Sequence, residues 1–312
     1  MYKLRINSRV IPAAPGSNLL DALLSAGEPI AWSCRAGHCQ VCLIKATAGD
    51  VPGAARQPLE PDQQRAGWLL ACQCPVSSDM TLELHDPARD ELAARVIEVA
   101  ALSSNVLRLR LKPQGRFRFK PGQHVTLWLN QHLGRPFSIA SQPDAPWLEF
   151  HLRLAPDGQF TVPAAQLSAG DLLHISAASG HFHFDPDWAN SPLLLLSRGT
   201  GLAPISAIAR DALNNGHNAP IALWHWSTGG CYLATELQEM AAIYPQLQLH
   251  LRASHALADD LTQLGPLNRQ TIALLCGAPG FVEQLRKPLF LAGLPGRQII
   301  SEAFSDQHSV SA

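Results

Sequence analysis

The stretch CRAGHCQVC at residues 34–42 decides the fold of the N-terminal part of this chain. With Cys72 it places four cysteines in the spacing C-x4-C-x2-C-x29-C, which is the ligand spacing of plant-type 2Fe-2S clusters. Small residues let the backbone N–H groups approach the sulfurs, and Gly37 supplies a positive φ where the loop needs one. We therefore predict a 2Fe-2S cluster with four metal ligands, namely Cys34, Cys39, Cys42 and Cys72.

Two other interpretations of the cysteines fit less well. Zinc would use Cys39/Cys42 and Cys72/Cys74 as ligand pairs. It leaves Cys34 unexplained, whereas a 2Fe-2S cluster leaves only Cys74 of this group without a role. A disulfide framework is disfavoured because the chain has 7 cysteines, an odd number, and because we expect no signal peptide at the N-terminus. Cys74 is the expected bystander.

Length and charge restrict the class of protein. With 312 residues the chain has room for two or three domains. Its longest apolar run, residues 192–196, has the length of a buried strand and not of a membrane span. The net charge of −1 predicts no basic face for nucleic acid. We expect neither a membrane nor a nucleic-acid partner, and reduced thiols without a targeting signal favour the cytoplasm.

Three segments differ in their sequence pattern. Residues 1–87 combine alternating strands, one helix that begins at Ser17/Asn18, and the cysteine loop. Residues 91–188 carry short strands punctuated by Pro and Gly, which is typical of an antiparallel barrel. In residues 189–312, buried strands alternate with helices, which predicts a parallel, doubly wound sheet. A short linker at residues 86–91 separates the first two segments.

Short motifs in the second and third segments contain residue types that suit phosphates and planar rings. An Arg that forks onto a phosphate and an aromatic side chain that stacks on a planar ring both occur in RPFS at residues 135–138. Glycines after a buried strand let the backbone approach a dinucleotide pyrophosphate, as in GTGLAP at residues 199–204. The neighbouring motifs are PGQH at 121–124, FHLR at 150–153, GQFT at 158–161, CGAP at 276–279 and EAF at 302–304.

In this order, the motifs resemble those of NADH-dependent reductases of the ferredoxin–NADP⁺ reductase superfamily that carry a ferredoxin domain at the N-terminus. The most similar type is the reductase component of bacterial ring-hydroxylating dioxygenases, such as those for naphthalene and benzoate. The resemblance covers essentially the whole chain and implies a multidomain α+β fold. Its parts would be a β-grasp 2Fe-2S ferredoxin domain at 1–87, an antiparallel β-barrel FAD domain at 91–188 and an α/β Rossmann-like NAD domain at 189–312.

The resemblance also implies which residues bind the cofactors. Arg135 would pair with the flavin pyrophosphate, Phe137 would pack on the isoalloxazine ring in place of the usual Tyr, and Ser138 would lie near the reactive flavin nitrogen. Arg198 replaces the first glycine of the nicotinamide motif and would add a phosphate contact or narrow the cleft. The implied catalytic residues are Ser138 and Cys276. The other implied cofactor-binding residues are Pro136, His151, Leu152, Arg153, Gly158, Thr161, Gly199, Thr200, Gly201, Gly277 and Phe304, the last as an aromatic cover of the flavin; Ser138 and Cys276 belong to this set too.

The choice of nicotinamide nucleotide depends on charge near the second strand of the third segment. Relatives often place an Arg near Ser227, where this chain reads WSTGGCY at residues 226–232. The 2′-phosphate of NADP needs a cation, whereas NAD needs none, so the missing Arg favours NADH. FAD is favoured over FMN because the phthalate-type relatives that use FMN place their ferredoxin domain at the C-terminus.

Together these implications predict an enzyme, an NADH-dependent flavin and iron–sulfur oxidoreductase. FAD would stand between the two-electron donor NADH and the one-electron cluster. The acceptor would be a separate terminal oxygenase or its ferredoxin. One alternative is the same electron path serving a diiron monooxygenase or a deoxysugar dehydrase. Another is a non-catalytic iron–sulfur carrier or redox sensor, against which the flavin and nicotinamide motifs count.

Overall fold

The computed structural model describes residues 1–262 and 267–304. In this part, three sheets follow one another along the chain, and each lies within one of the three segments distinguished by sequence. Within the described ranges, no helix is long and apolar enough to cross a membrane.

The first sheet contains β1 (Tyr2–Ile6), β2 (Arg9–Ala13), β3 (Leu43–Ala48), β4 (Trp68–Leu70) and β5 (Met80–Leu84), with helices α1 (Leu19–Ser25), α2 (Gly53–Arg56) and α3 (Pro61–Arg65). Its order is β2-β1-β5-β3-β4, and only β1 and β5 pair in parallel. Helix α1 buries Leu20 and Leu23. It begins where predicted, because Asn18 Oδ1 accepts a hydrogen bond from the Asp21 amide, and it ends before Gly27 at φ 78°.

The second sheet contains β6 (Leu92–Ser103), β7 (Val106–Pro113), β8 (His124–Asn130), β9 (Leu133–Ser138), β10 (Leu148–Arg153) and β11 (Leu172–Ile175), with helices α4 (Pro87–Asp90) and α5 (Thr161–Ala164). All pairs are antiparallel in the order β10-β7-β6-β11-β8-β9. The outermost strands β9 and β10 also contact each other. The sheet therefore curls into a barrel around an apolar core that includes Leu109, Leu127 and Phe150.

Strand β9 carries the RPFS motif, although its sequence does not indicate a strand. Pro136 lies in its middle and is paired with Thr126 of β8. Proline lacks an N–H for the sheet ladder and is tolerated in edge strands, and β9 is the last strand in the order. Side chains alternate along a strand, so Arg135 and Phe137 share one face while Pro136 and Ser138 share the other.

The third sheet contains β12 (Leu193–Arg198), β13 (Ile221–Ser227), β14 (Leu247–Ala253), β15 (Ile272–Gly277) and β16 (Ile299–Ala303), with helices α6 (Leu202–Asn214), α7 (Ala234–Ile243), α8 (Leu257–Thr262) and α9 (Pro279–Leu291). All five strands are parallel in the order β14-β13-β12-β15-β16. Leu193 and Leu195 pack toward α6 and α7, while Leu194 and Leu196 pack toward α8 and α9. The strand order reverses between β12 and β15, so a ligand crevice is expected at their carboxyl ends.

The cysteine loop docks on β8 of the barrel. Ala31, Cys39 and Val41 pack against the indole of Trp128. The Thr126 hydroxyl donates a hydrogen bond of 3.3 Å to the Cys39 carbonyl. Because β8 pairs with β9, the cysteine loop and the RPFS motif lie on the same strand pair.

Candidate functional site

The cysteine loop is shaped by three residues in the left-handed region. Arg35, Gly37 and Gln40 have φ values of 54°, 81° and 55°, a conformation that only glycine adopts freely. The amide of Gln73 donates a hydrogen bond of 3.1 Å to the Arg35 carbonyl. This contact ties the loop to the distant segment that contains Cys72.

The four predicted ligands come together as two pairs. The Cys39 amide lies 3.4 Å from Cys34 Sγ, and the Cys34 amide lies 3.5 Å from Cys39 Sγ. A hydrogen bond from the Cys39 thiol lowers the pKa of Cys34 to about 5, and one from the Cys42 thiol lowers the pKa of Cys72 to about 7. Thiolates are the metal-binding form, and each iron of a 2Fe-2S cluster takes two of the four cysteines. The paired arrangement fits such a cluster.

The geometry of the cysteines also bears on the zinc interpretation and on the role of Cys74. In the ranges that the structure describes, no three His, Cys, Asp or Glu side chains group closely enough to hold a single ion. The zinc interpretation pairs Cys39 with Cys42 and Cys72 with Cys74, whereas in the structure Cys39 lies beside Cys34 and Cys72 beside Cys42. The observed pairs therefore favour the 2Fe-2S cluster. Cys74 is fully buried, its Sγ lies 3.9 Å from the Pro75 carbonyl, and burial raises its pKa to about 11. Cys74 is thus a protonated core thiol outside the paired set.

The predicted flavin site has a polar end, which is formed by Arg135, Gly158, Gln159 and Thr161. Arg135 Nη2 donates a hydrogen bond of 3.3 Å to Gln159 Oε1. A Cβ at Gly158 would overlap Thr161 Oγ1, so a larger residue there would displace the Thr161 hydroxyl. Thr161 Oγ1 is buried and makes no hydrogen bond among the described residues. A guanidinium bonded to Gln159 and an unpartnered buried hydroxyl two residues further on suit pyrophosphate oxygens, so these residues fit FAD.

The remaining residues predicted to line the flavin differ in exposure. Phe137 is half-buried, with its ring centroid 5.0 Å from that of Phe160, and Pro136 beside it is also half-buried. Leu152 points into the barrel core and is 1% exposed. Its predicted contact with a flavin therefore has to come from its backbone. Arg153 is exposed at the end of β10.

Ser138 and Cys276 lie next to Glu302, a carboxylate of the EAF motif to which the sequence assigned no role. Ser138 Oγ donates a hydrogen bond of 3.3 Å to Glu302 Oε1, and Cys276 is paired with Glu302 in the ladder of β15 and β16. His124 Nδ1 lies 3.6 Å from the same oxygen. Burial raises the pKa of Glu302 to about 7, which the Ser138 hydroxyl only partly offsets. Burial lowers the pKa of His124 to about 4, so its ring is neutral where Glu302 titrates.

His151 connects the barrel to the third sheet. Its Nε2 donates a hydrogen bond of 3.0 Å to Glu149 Oε1. Its Nδ1 lies 3.1 Å from the hydroxyl of Tyr232, a residue in the loop after β13. Arg110 Nε also donates to Glu149, at 2.7 Å. Burial opposes the charge on Glu149, but these two partners lower its pKa to about 2. Both ring nitrogens of His151 are thus engaged in contacts that link the barrel to the third sheet.

The glycine motifs meet at the carboxyl ends of β12 and β15. Gly199 has φ 58°, and a Cβ there would meet nothing within 4 Å, which leaves room for a ligand beside Thr200. A Cβ at Gly201 would overlap the Cys276 carbonyl oxygen, so glycine permits the close approach of these strand ends. The N-terminus of α6 follows at once and favours an anion there. The site fits a dinucleotide pyrophosphate.

Phe304 closes the described part of the chain. Its amide donates a hydrogen bond of 2.9 Å to the Gly277 carbonyl. The half-buried ring packs against the apolar cluster that α6 and α7 form on the third sheet. Its role as a cover for the flavin stays a prediction.

Comparisons with known proteins agree with this architecture. Residues 4–77 match the family model described as 2Fe-2S iron-sulfur cluster binding domain, and residues 93–184 match the model described as oxidoreductase FAD-binding domain. The ferredoxin–NAD(P)⁺ reductase component of a naphthalene 1,2-dioxygenase system from Pseudomonas putida is 31% identical, over 96% of this chain and 96% of that protein. A reductase of CDP-6-deoxy-L-threo-D-glycero-4-hexulose-3-dehydrase from Yersinia pseudotuberculosis is 25% identical, over 97% of both chains.

A solved structure supports the same conclusion. The cytochrome P450 reductase of Amycolatopsis superposes with a TM-score of 0.65 at 27% identity, over 97% of this chain and 99% of that one. Two cofactor-binding families and a relative of full length therefore agree with the three sheets and the motifs they carry. The chain belongs to the family of ferredoxin–NAD(P)⁺ reductases that carry an N-terminal 2Fe-2S domain, and it is an NAD(P)H-dependent oxidoreductase with FAD and a 2Fe-2S cluster.

Proposed function

We propose that this chain is the electron-transfer reductase of a ring-hydroxylating oxygenase system. It takes electrons from NADH and delivers them, through FAD and the 2Fe-2S cluster, to a separate terminal oxygenase or its ferredoxin. The similarity to a reductase component of a naphthalene dioxygenase system supports this class of acceptor. The proposal also places the enzyme in the cytoplasm, because cluster ligands that are free thiols suit a reducing compartment.

The docking of the cysteine loop on the flavin strands is the observation that supports this electron path most directly. Thr126 of β8 donates to the Cys39 carbonyl at 3.3 Å, and Arg135 of β9 donates to the Trp32 carbonyl at 3.3 Å. The segment that carries the predicted cluster ligands is therefore hydrogen-bonded to the strand pair β8–β9, which carries the predicted flavin motif. No further carrier is needed between the two centres.

The residues around the flavin motif have positional roles in this proposal. FAD held by these residues would supply the conversion between two-electron hydride chemistry and single-electron transfer. Arg135 supplies a cation for the pyrophosphate, and Phe137 presents its ring to the isoalloxazine. Ser138 and Glu302 hold a proton between hydroxyl and carboxylate, because the pKa of Glu302 lies at about 7. Cys276 is fully buried and helps to keep water out.

The domain ranges and the site residues are part of the same proposal. The ranges 1–87, 91–188 and 189–312 each contain one of the three sheets, which supports them as units. The proposed metal ligands are Cys34, Cys39, Cys42 and Cys72. Glu302 and His124 join Ser138 and Cys276 as proposed residues of the hydride-transfer site, because all four lie within one hydrogen-bonded or paired group.

Anaerobic addition of NADH to the purified holoenzyme tests the proposal. We expect the visible absorption of both the flavin and the cluster to bleach, and addition of the oxidised acceptor to restore it. In Cys72→Ser, the flavin should still bleach while the cluster bands are missing. If neither NADH nor NADPH bleaches the wild-type flavin, the enzyme proposal is wrong and a non-catalytic iron–sulfur carrier is favoured.

A deoxysugar dehydrase is the second candidate acceptor. The relative from Yersinia pseudotuberculosis is named as a reductase of such an enzyme, and it would use the same electron path. Reconstitution distinguishes the two candidates. The reductase is mixed with a purified ring-hydroxylating oxygenase or with a deoxysugar dehydrase, and the acceptor that turns over with NADH is the one supported.

A further inference from the structure

The carboxyl end of β14 places a cation, Arg252, close to the end of β13, although the two are far apart in the sequence. Arg252 is the penultimate residue of β14 and is paired with Trp226 of β13, one residue before Ser227. Neighbouring strands are about 4.8 Å apart, so the long Arg252 side chain lies within reach of the turn after β13. The sequence lacks an Arg near Ser227, and the adjacent strand provides one.

Asp260 of α8 holds this guanidinium in a two-point ion pair. Asp260 Oδ1 accepts hydrogen bonds from Nε and Nη2 of Arg252 at 3.0 and 2.6 Å. Its Oδ2 accepts from Trp226 Nε1–H at 2.9 Å. The Asp260 side chain is 1% exposed, against 45% for Arg252. The carboxylate is therefore fixed inside the protein, and only the cation reaches solvent.

Aromatic rings stack on β13 and on β14, the strand that carries Arg252. Trp224 stacks on His250 with 3.9 Å between the ring centroids, and on Trp226 with 5.7 Å. His250 shares a face of β14 with Arg252. Burial, together with the nearby Arg252 charge, lowers the pKa of His250, so its ring adds no cation at neutral pH. The charge balance on this face rests on Arg252 and Asp260.

This pair bears on the choice between two hydride donors. NADP differs from NAD by a 2′-phosphate on the adenosine ribose, and an Arg fork binds a phosphate bidentately. An Arg that already donates to a carboxylate cannot use those N–H groups for a phosphate. The carboxylate also neutralises the positive charge that would attract the phosphate. We propose that Asp260 is a positioning residue for nucleotide preference: it withholds Arg252 from the 2′-phosphate and so favours NADH over NADPH. The inference rests on the proposed function, since it concerns the nucleotide that donates the hydride.

Four holoenzymes test this role: wild type, Asp260→Asn, Arg252→Gln and the double variant. Asn at position 260 keeps an oxygen for Trp226 Nε1–H and removes the charge. Titration of each oxidised holoenzyme with NAD⁺ and with NADP⁺, followed by flavin difference absorption, gives the ratio of the two Kd values. We expect Asp260→Asn to shift this ratio toward NADP⁺ by about tenfold, the scale of one charge-assisted hydrogen bond. The double variant and Arg252→Gln should both keep the wild-type ratio.

A purely structural role gives a different result. A damaged fold lowers both affinities together, so an unchanged ratio in Asp260→Asn with a wild-type melting temperature overturns the inference. A gain in NADP⁺ affinity that survives in the double variant overturns it as well. If Asp260→Asn does not fold, Arg252→Gln decides: a selective loss of NADP⁺ affinity means that Arg252 already binds the 2′-phosphate. Failure of the proposed function is distinct, because the wild type then binds neither nucleotide and NADH leaves its flavin oxidised.

Discussion

The cysteine loop and the Glu302 site are assembled in opposite ways. Three of the four predicted cluster ligands lie within residues 34–42, and local backbone conformations with positive φ shape that loop. Ser138 and Glu302 are 164 residues apart and meet only because β9 of the barrel faces β16 of the third sheet. Residue types and spacing reveal the first site. The second is recognised by burial and shifted pKa values, which arise only when distant elements pack together.

The largest effect is expected at the ligand farthest from the loop. Cys72→Ser removes the one predicted ligand that the 34–42 loop does not supply, so the iron and sulfide content of the purified protein should fall to background. Cys74→Ser is the matched control, because Cys74 is a core thiol two residues away. It should keep the cluster and cost about 1 kcal/mol of stability for the buried hydroxyl. Loss of the cluster in Cys74→Ser and not in Cys72→Ser would contradict the ligand assignment.

A second prediction concerns the closest backbone approach in the nicotinamide segment. In Gly201→Ala the new methyl group overlaps the Cys276 carbonyl oxygen. Because backbone cannot move aside as a side chain can, the free energy of unfolding should fall by about 3 kcal/mol. Urea unfolding measures it. Gly280→Ala in α9 is the control: its methyl meets nothing within 4 Å, so the stability should stay the same or rise by about 0.5 kcal/mol. Equal stabilities for the two variants would show that the close approach is not as described.

A third prediction follows from the pKa of Glu302, which burial raises from its ordinary value of 4.5 to about 7. Between these pH values the folded state binds a proton that the unfolded state does not, so the wild-type free energy of unfolding falls as pH rises through this window. The side chain is 19% exposed, and with solvent screening the fall is about 2 kcal/mol. Glu302→Gln mimics the protonated form and should lack this fall.

Urea unfolding of wild type and Glu302→Gln at several pH values between 5 and 8 is the measurement. The glutamine variant should gain stability relative to wild type as pH rises. The exposed Glu236→Gln serves as the control for removing one surface carboxylate. Parallel stability curves for wild type and Glu302→Gln would mean that the carboxyl is not buried as described.

The smallest effect is expected where the cysteine loop meets the barrel. Thr126→Val keeps the side-chain shape and removes the hydroxyl that donates to the Cys39 carbonyl. One net hydrogen bond is worth about 1 kcal/mol, so the thermal midpoint should drop by a few degrees and bleaching of the cluster by NADH should slow. Thr126→Ser keeps the donor and should retain the rate. A slow Thr126→Ser together with a normal Thr126→Val would argue against a role for this bond.

Several sequence-based predictions are confirmed, and physical reasons explain the others. The multidomain α+β fold, the FAD and 2Fe-2S cofactors and the reductase family were implied by the resemblance that the motifs carry, and the relatives and the matched families confirm them. Asn18 and Gly27 bound the first helix as their capping chemistry predicts. Strand β9 was not evident, because Pro136 interrupts its pattern and only its edge position makes the proline tolerable.

Contacts between distant elements explain what the sequence did not show. Tyr232 bonds to His151 across two sheets, and this partnership has no local signal. No Arg lies near Ser227 in the sequence, as predicted. In the folded protein, however, β14 brings Arg252 close to Ser227. Asp260 lies in the helix after β14, and its ion pair is set by packing.

The sequence alone determined the electron chemistry of this protein, because cluster ligands, flavin motif and glycine turns are short stretches whose residue types and spacings must match a cofactor. Only the tertiary structure decided the protonation of Glu302, the hydrogen bonds of His151 to Glu149 and Tyr232, and the pairing of Arg252 with Asp260. These properties depend on burial and on charges that meet across sheets. Solvent exclusion and Coulomb interactions act through space, so the order of residues along the chain does not reveal them.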